Sequence, residues 1–315
     1  MKVVFQKFKK EVFIMITLLT LIAGAELVSS IVNAQTLDTL VNMDIHNFFY
    51  KAICLVIIFA FYLLFTYMLI RYQAYFNQKV ATWLRDRISH SIEATSYGRF
   101  YEKNSQTYIS WFTSDLEQIK GHAIDPTFDV IGGIISAVIS AVALFMYHWS
   151  IVLLAAICIV IMAVLPALFS AELTEKTIKV SEANEKFAKS ISDLLSGYDT
   201  LFVFRKLAYL KEKIHEKSVE VGDTHRDFSK SMAKVAVSGG IGNVFSQISV
   251  FILTGYLAYI GEVSIGSILA AMALSSTIFN VLGNISQKIG SIKSADSLFN
   301  KYEQLEPAAL VEEAP

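Results

Sequence analysis

The stretch Glu172–Lys234, ELTEKTIKVSEANEKFAKSISDLLSGYDTLFVFRKLAYLKEKIHEKSVEVGDTHRDFSKSMAK, decides the fold of this chain. It is charged and helix-favouring, holds no proline, and lies between two strongly apolar segments. Leu173, Val180, Phe187 and Leu194 recur every seven residues. After a break at Ser196-Gly197-Tyr198-Asp199-Thr200, Leu207, Ile214, Val221, Phe228 and Val235 do the same. A seven-residue apolar repeat is a packing seam between helices, so the stretch predicts two long helices meeting at a turn. At that turn stands an apolar tip, Leu201-Phe202-Val203-Phe204, followed by Arg205-Lys206. Four large apolar residues at the far end of a charged hairpin call for a cover: another domain docked on them, or neighbouring helices on which they fold back.

Outward from this hairpin the chain is apolar. Of its 315 residues 54% are hydrophobic and 17% charged, with a positive mean hydropathy, values that fit a polytopic membrane protein better than a soluble domain. Six apolar segments, at about 12–32, 49–70, 130–147, 151–169, 237–259 and 265–282, approach the roughly 20 residues needed to cross a hydrocarbon core about 30 Å thick. Four Lys or Arg residues precede the first span, seven lie between the second and third, twelve between the fourth and fifth, and three follow the sixth. The opposite side holds Lys51 alone. This positive-inside pattern puts both termini in the cytoplasm. The expected fold is therefore an all-α membrane protein with six transmembrane helices and long cytoplasmic extensions. The lipid bilayer is its partner, and no nucleic acid is expected.

The outer loops Tyr147-His148-Trp149-Ser150 and Ile260-Gly261-Glu262-Val263-Ser264 barely turn the chain around. The inner connections, about 71–129 and 170–236, read as continuations of the spans into water. A helix from Ser150 to Thr200 would be roughly 75 Å long at 1.5 Å per residue. The second span runs on to about Tyr97, Gly98 breaks it, Phe100-Tyr101-Glu102-Lys103-Asn104 forms a second tip, and Thr107–Lys120 starts the return helix. Met1–Glu11 is amphipathic and basic and is expected to lie in the inner interface, while the following apolar run is longer than a signal-peptide core. Pro166, inside the fourth span, should kink its helix; Pro126 lies at the entry of the third.

Several polar groups lie inside these spans. Glu26 is the one carboxylate well within an apolar segment. It either faces a cavity or partner, or sits close enough to the outer surface to be hydrated. Asn243, Gln247 and Thr254 share approximately one helix face, as do Asn280, Asn284, Gln287 and Ser291. Amides at this depth glue helices together or line a wet pathway. Gly239, Gly240 and Gly242 mark close packing or flexibility. Cys54 and Cys158 read as packing residues, and the six histidines show no metal-ligand spacing.

This arrangement resembles the transmembrane domain of ABC exporters, the bacterial multidrug, lipid and peptide half-transporters. The resemblance covers essentially the whole chain, taken as residues 1–306. It is most specific at Phe100–Lys120, where Ser114-Asp115-Leu116-Glu117-Gln118-Ile119 looks like the approach to the third span. Leu195-Ser196-Gly197-Tyr198 to Arg205 is similar to the second inner loop, and Ser294-Ala295-Asp296-Ser297-Leu298-Phe299 to the exit from the sixth span. The resemblance implies that the two tips are coupling helices seated on nucleotide-binding domains: Phe100, Tyr101 and Glu102 in the first, Leu201, Phe202, Val203, Phe204 and Arg205 in the second. It also implies a homo- or heterodimer in a bacterial plasma membrane, and alternating access driven by ATP closure of the nucleotide-binding domains.

No G-x-x-x-x-G-K-[ST] occurs in the chain, so no cofactor is expected here, and ATP and Mg²⁺ belong to a nucleotide-binding domain elsewhere. Residues 307–315 read as the start of a linker to it, and the chain as a portion of a half-transporter rather than a separate permease. The expected substrate pathway is lined by Glu26, Asn243, Gln247, Asn280, Asn284 and Gln287, and an amphipathic drug, a lipid or a peptide fits it. An ion-coupled carrier using Glu26 is the alternative, although such carriers break their helices at the membrane midplane. A membrane sensor would need an output module for which the chain has no residues.

Overall fold

A computed structural model describes residues 2–303; the expected linker, residues 307–315, lies outside the described residues. Among these the chain is helical without strands, and six helices are long and apolar enough to cross a membrane. In order they are α1 (Lys2–Lys7), α2 (Lys9–Val41), α3 (Ile45–Glu93), α4 (Tyr97–Tyr101), α5 (Ser105–Phe112), α6 (Ser114–Ile119), a π-helical turn (Lys120–Ile124) and α7 (Asp125–Tyr147). There follow α8 (Trp149–Ala167), α9 (Ser170–Ser196), α10 (Tyr198–Val203), α11 (Leu207–Tyr259) and α12 (Ser267–Glu303). The 53 residues of α11 run about 80 Å, well beyond a bilayer core. The chain divides into two compact units: Met1–Leu154 with Val250–Pro315, and Ala155–Ser249.

In the first unit α7 touches α2 and α12 through adjacent glycines. A Cβ on Gly132 would stand 2.8 Å from Leu19 Cδ2, and one on Gly133 would stand 3.0 Å from Val281 Cγ1. At the basic end of these helices lies an aromatic core of Phe8, Phe76, Trp111 and Phe128 with Val4, Val12, Met15, Val80, Leu84 and Ile88. The Phe8 ring meets Phe76 and Trp83 edge-on, at 6.0 and 5.9 Å. Val4 and Phe8 are buried on protein, because Phe76, Trp83 and Phe128 offer those side chains a better-packed surface than headgroups do.

Polar ties hold the same region. Gln73 Nε2 and Asn77 Nδ2, one turn apart on α3, both donate to Asp125 Oδ1, at 2.7 and 2.9 Å. Lys79 pairs with Glu11, and Lys288 with Asp129. At the opposite end of α12, Gly266 N donates to Asp38 Oδ1 at 2.6 Å.

The return helix expected from Thr107 is instead assembled from pieces. Asn104 Oδ1 accepts from Thr107 N and starts α5, and Thr113 leaves helical geometry at φ −123°, ψ −90°. The π-turn precedes Pro126, and Asp125 N there reaches back to Lys120 O. A proline ring collides with the carbonyl four residues before it, and a wide turn moves that carbonyl aside.

In the second unit, the continuous helix expected from Ser150 to Thr200 is broken at Leu168-Phe169, between α8 and α9. Pro166 cannot donate to Met162 O, and Phe169 N turns to Pro166 O in a tighter three-residue step. Opposite the break, Cβ atoms on Gly239 and Gly242 would stand 3.6 Å from Pro166 Cγ and 3.4 Å from Met162 Cα, so these glycines are close-packing positions. A Cβ on Gly240 meets nothing within 4 Å. Beyond the break, the heptad residues of α9 and α11 are half-buried while the residues between them are largely exposed. The hairpin is clasped by Lys234 Nζ and Ser231 Oγ, which both donate to Glu172 Oε1 at 2.8 Å, and by His225 against Asn184 at 3.5 Å.

Candidate functional site

The two expected tips form the two short helices α4 and α10. Gly197 ends α9, its N–H bonding back to Asp193 O, and α10 carries Tyr198–Val203 across the end of the hairpin. There α10 closes with Lys206 N bonded to Leu201 O and Arg205 N to Phe202 O, at 2.8 and 3.0 Å. This double-bonded helix end requires a left-handed residue, and Arg205 supplies it at φ 55°. A non-glycine residue there costs about 1–2 kcal/mol. The turn therefore holds Phe202, Val203 and Phe204 outward in a fixed arrangement, 60%, 74% and 71% exposed. Leu201 is half-buried, and a cleft of about 540 Å³ lies against Phe202, Val203, Arg205, Leu207 and Ala208. The tip does not fold back on its own hairpin.

In the first tip the aromatic residues divide. Phe100 turns inward and stacks on Tyr108 at 4.7 Å, and the Tyr108 hydroxyl donates to Phe100 O at 3.1 Å. Tyr97 and Tyr101, 4.8 Å apart, face outward with Glu102. Lys103 Nζ sits 4.7 Å from the Trp111 ring and ties the end of α4 to α5.

The polar residues of the spans fall into separate groups. Glu26 is half-buried on α2, with Tyr62 of α3 near its carboxylate. The hydroxyls of Ser29 and Ser30 donate to its backbone carbonyl, at 2.8 and 3.0 Å. On α11 Gln247 Nε2 donates to Asn243 Oδ1 at 2.9 Å, and Thr254 is buried with its hydroxyl on Val250 O. On α12 Asn280, Asn284 and Gln287 are exposed in a row, while Ser275, Ile278 and Phe279 on the other side are buried. Asn280 Nδ2 donates to Ser276 Oγ and Asn284 Nδ2 to Asn280 O. Ser291 meets His122 at 3.1 Å instead of extending the exposed row. Asn243 and Gln247 belong to the second unit; Glu26, Asn280, Asn284 and Gln287 belong to the first.

Sequence reading overlooked Tyr62, Gly266 and the Gln73-Asn77-Asp125 cluster. Tyr62 lies in an apolar run where a tyrosine passes for an ordinary aromatic; Gln73 and Asn77, one turn apart beyond the expected end of a span, were the readable signal. Among the described residues no group of three or more His, Cys, Asp or Glu is placed to hold a metal ion. The family model of the ABC transporter transmembrane region matches residues 12–282. Comparison with curated proteins returned no match.

Proposed function

The chain belongs to the ABC transporter transmembrane-region family, and from that premise we propose that it is the permease domain of an ATP-driven exporter. In this reading both termini and both tips lie in the cytoplasm, at the plasma membrane of a bacterium. Phe202, Val203, Phe204 and Arg205 seat α10 in a nucleotide-binding domain, with Leu201 bracing them from beneath. Tyr101 and Glu102 present a smaller second contact that Phe100 anchors from within. ATP and Mg²⁺ are held by that domain, and no residue of this chain is assigned to either. Closure of two such domains moves the tips of two transmembrane subunits together and switches the access of the substrate pathway. Glu26, Asn243, Gln247, Asn280, Asn284 and Gln287 line that pathway for an amphipathic drug, lipid or peptide.

The observation that carries the reading is the rigid outward presentation of Phe202, Val203 and Phe204 at the end of a charged hairpin. Full burial of such side chains is worth about 1.5–3 kcal/mol each, and only a partner can supply it. Family membership weighs against the ion-coupled carrier. The test is transport and ATP hydrolysis in vesicles by the chain joined to its nucleotide-binding domain. Phe202→Asp and Phe204→Asp should each lose transport while hydrolysis persists or falls out of step with it. Unchanged transport in both variants would remove the docking role.

A further inference from the structure

The start of the chain carries a second surface that the transport reading does not use. Val4, Phe8, Val12 and Met15 are buried against α3 and α7. The opposite face presents Lys7, Lys9 and Lys10, all exposed. One turn further along α2 the same outward face changes character: Phe13 is 70% exposed and Ile14 is exposed, with Thr17 and Leu21 continuing it. An exposed surface that passes from Lys7 at the end of α1 and Lys9 and Lys10 at the start of α2 to uncovered aromatic and aliphatic side chains one turn on fits the boundary between headgroups and acyl chains. The lysines stand on the headgroup side of it.

These cations are also available. Glu11, the one acid in this segment, is already engaged by Lys79, so Lys10 acts on it only at a distance. Among the described residues no carboxylate closes an ion pair with Lys7, Lys9 or Lys10, and their exposed neighbours Gln6, Phe13 and Ile14 are uncharged. The apolar sides of α1 and of the start of α2 are both occupied by protein, so the two helices hold Lys7, Lys9 and Lys10 in fixed positions.

We propose that Lys7, Lys9 and Lys10 form a docking surface for the phosphate headgroups of anionic phospholipids, with Phe13 and Ile14 against the first carbons of the acyl chains. Each lysine near an anionic surface contributes at most about a fivefold preference, which salt screening and averaging over every lipid around the chain reduce to severalfold for the three together.

The test reconstitutes the whole chain in phosphatidylcholine and measures the association of spin-labelled phosphatidylglycerol relative to spin-labelled phosphatidylcholine. The expected result is a preference for phosphatidylglycerol of severalfold at low salt, reduced towards parity in 1 M salt and unaffected by inorganic phosphate at tens of millimolar. Lys7→Gln/Lys9→Gln/Lys10→Gln should bring the preference close to parity, and the corresponding triple arginine variant should restore it. Should the triple glutamine variant fail to fold, Lys7→Gln and Lys10→Gln are measured singly, each lowering the preference by twofold or more. An unpreferred lipid in the unaltered chain, a preference abolished by inorganic phosphate, or a preference undiminished in the folded glutamine variants overturns the proposal.

Discussion

Replacing Gly266 with alanine should unfasten α2 from the start of α12. The Gly266 N–H donates to Asp38 Oδ1 at 2.6 Å, and its Cα packs directly on the end of α2. A Cβ there would fall 1.9 Å from Ala34 O, 2.7 Å from Ala34 C and 2.8 Å from Asp38 Cγ, against the 3.4 Å at which ordinary contact begins. These are backbone atoms inside a helix and a carboxylate already committed to a hydrogen bond, so no flexible side chain can yield. The two helix ends must separate by more than an ångström. Loss of a hydrogen bond to a charged acceptor costs about 1.5–3 kcal/mol, and overpacking costs about 1–3 kcal/mol more. The sum, about 2.5–6 kcal/mol, lowers the melting temperature by at least about 5 °C at some 2 °C per kcal/mol. Thermal unfolding in lipid nanodiscs is the assay. Asp38→Asn should fall between the unaltered chain and Gly266→Ala, and Gly255→Ala, with nothing within 4 Å of its Cβ, should be neutral. Equal stability of Gly266→Ala and Gly255→Ala would refute the reasoning.

A second glycine contrast lies on α11. Gly242→Leu should destabilise by about 1–3 kcal/mol by pushing Met162 and Leu165 away, whereas Gly240→Leu, into open space, should not, as read by thermal unfolding. In the hairpin, hydrogen bonds from Lys234 and then Ser231 hold the Glu172 carboxyl below its ordinary value of 4.5. Its contribution is therefore complete above that ordinary value and is lost as pH falls through the lowered one. Amide exchange in α9 and α11, corrected for intrinsic rates, should show the clasp loosening at acid pH. Glu172→Gln should be loosened already at neutral pH and show less pH dependence, and an unchanged profile would exclude the clasp.

The hairpin was legible because its information is periodic. Nine apolar residues at heptad spacing, from Leu173 to Val235, became the half-buried seam of α9 and α11, and runs of apolar residues marked the six helices capable of spanning a membrane. Breaks were harder to read, because they depend on where a displaced hydrogen bond finds a new acceptor. Pro166 announced a kink, but only the bond from Phe169 N to Pro166 O shows that the helix stops there. At Val4 and Phe8, amphipathicity reveals that one face is covered and is silent on whether lipid or protein covers it. The aromatic partners Phe76, Trp83 and Phe128 lie far away in sequence. Among candidate site residues, the exposure of Phe202, Val203 and Phe204 followed from their position at a turn, whereas Phe100 turned inward because Tyr108, eight residues on, offers it a stacking surface. Gly266 gave no sign, since the residue it touches is Ala34, and neither is unusual in its own segment.

The most direct measurement is site-specific cross-linking of the hairpin tip. In a background where Cys54 and Cys158 are replaced by serine, Val203→Cys is joined to a nucleotide-binding domain carrying its own cysteine, and yields are compared with Val219→Cys on the arm of the same hairpin. A cross-link from position 203 that forms readily, changes with ATP, and is absent from position 219 is the result the account predicts. Equal yields from the two positions, or none from 203 in a complex that hydrolyses ATP and transports, would contradict it.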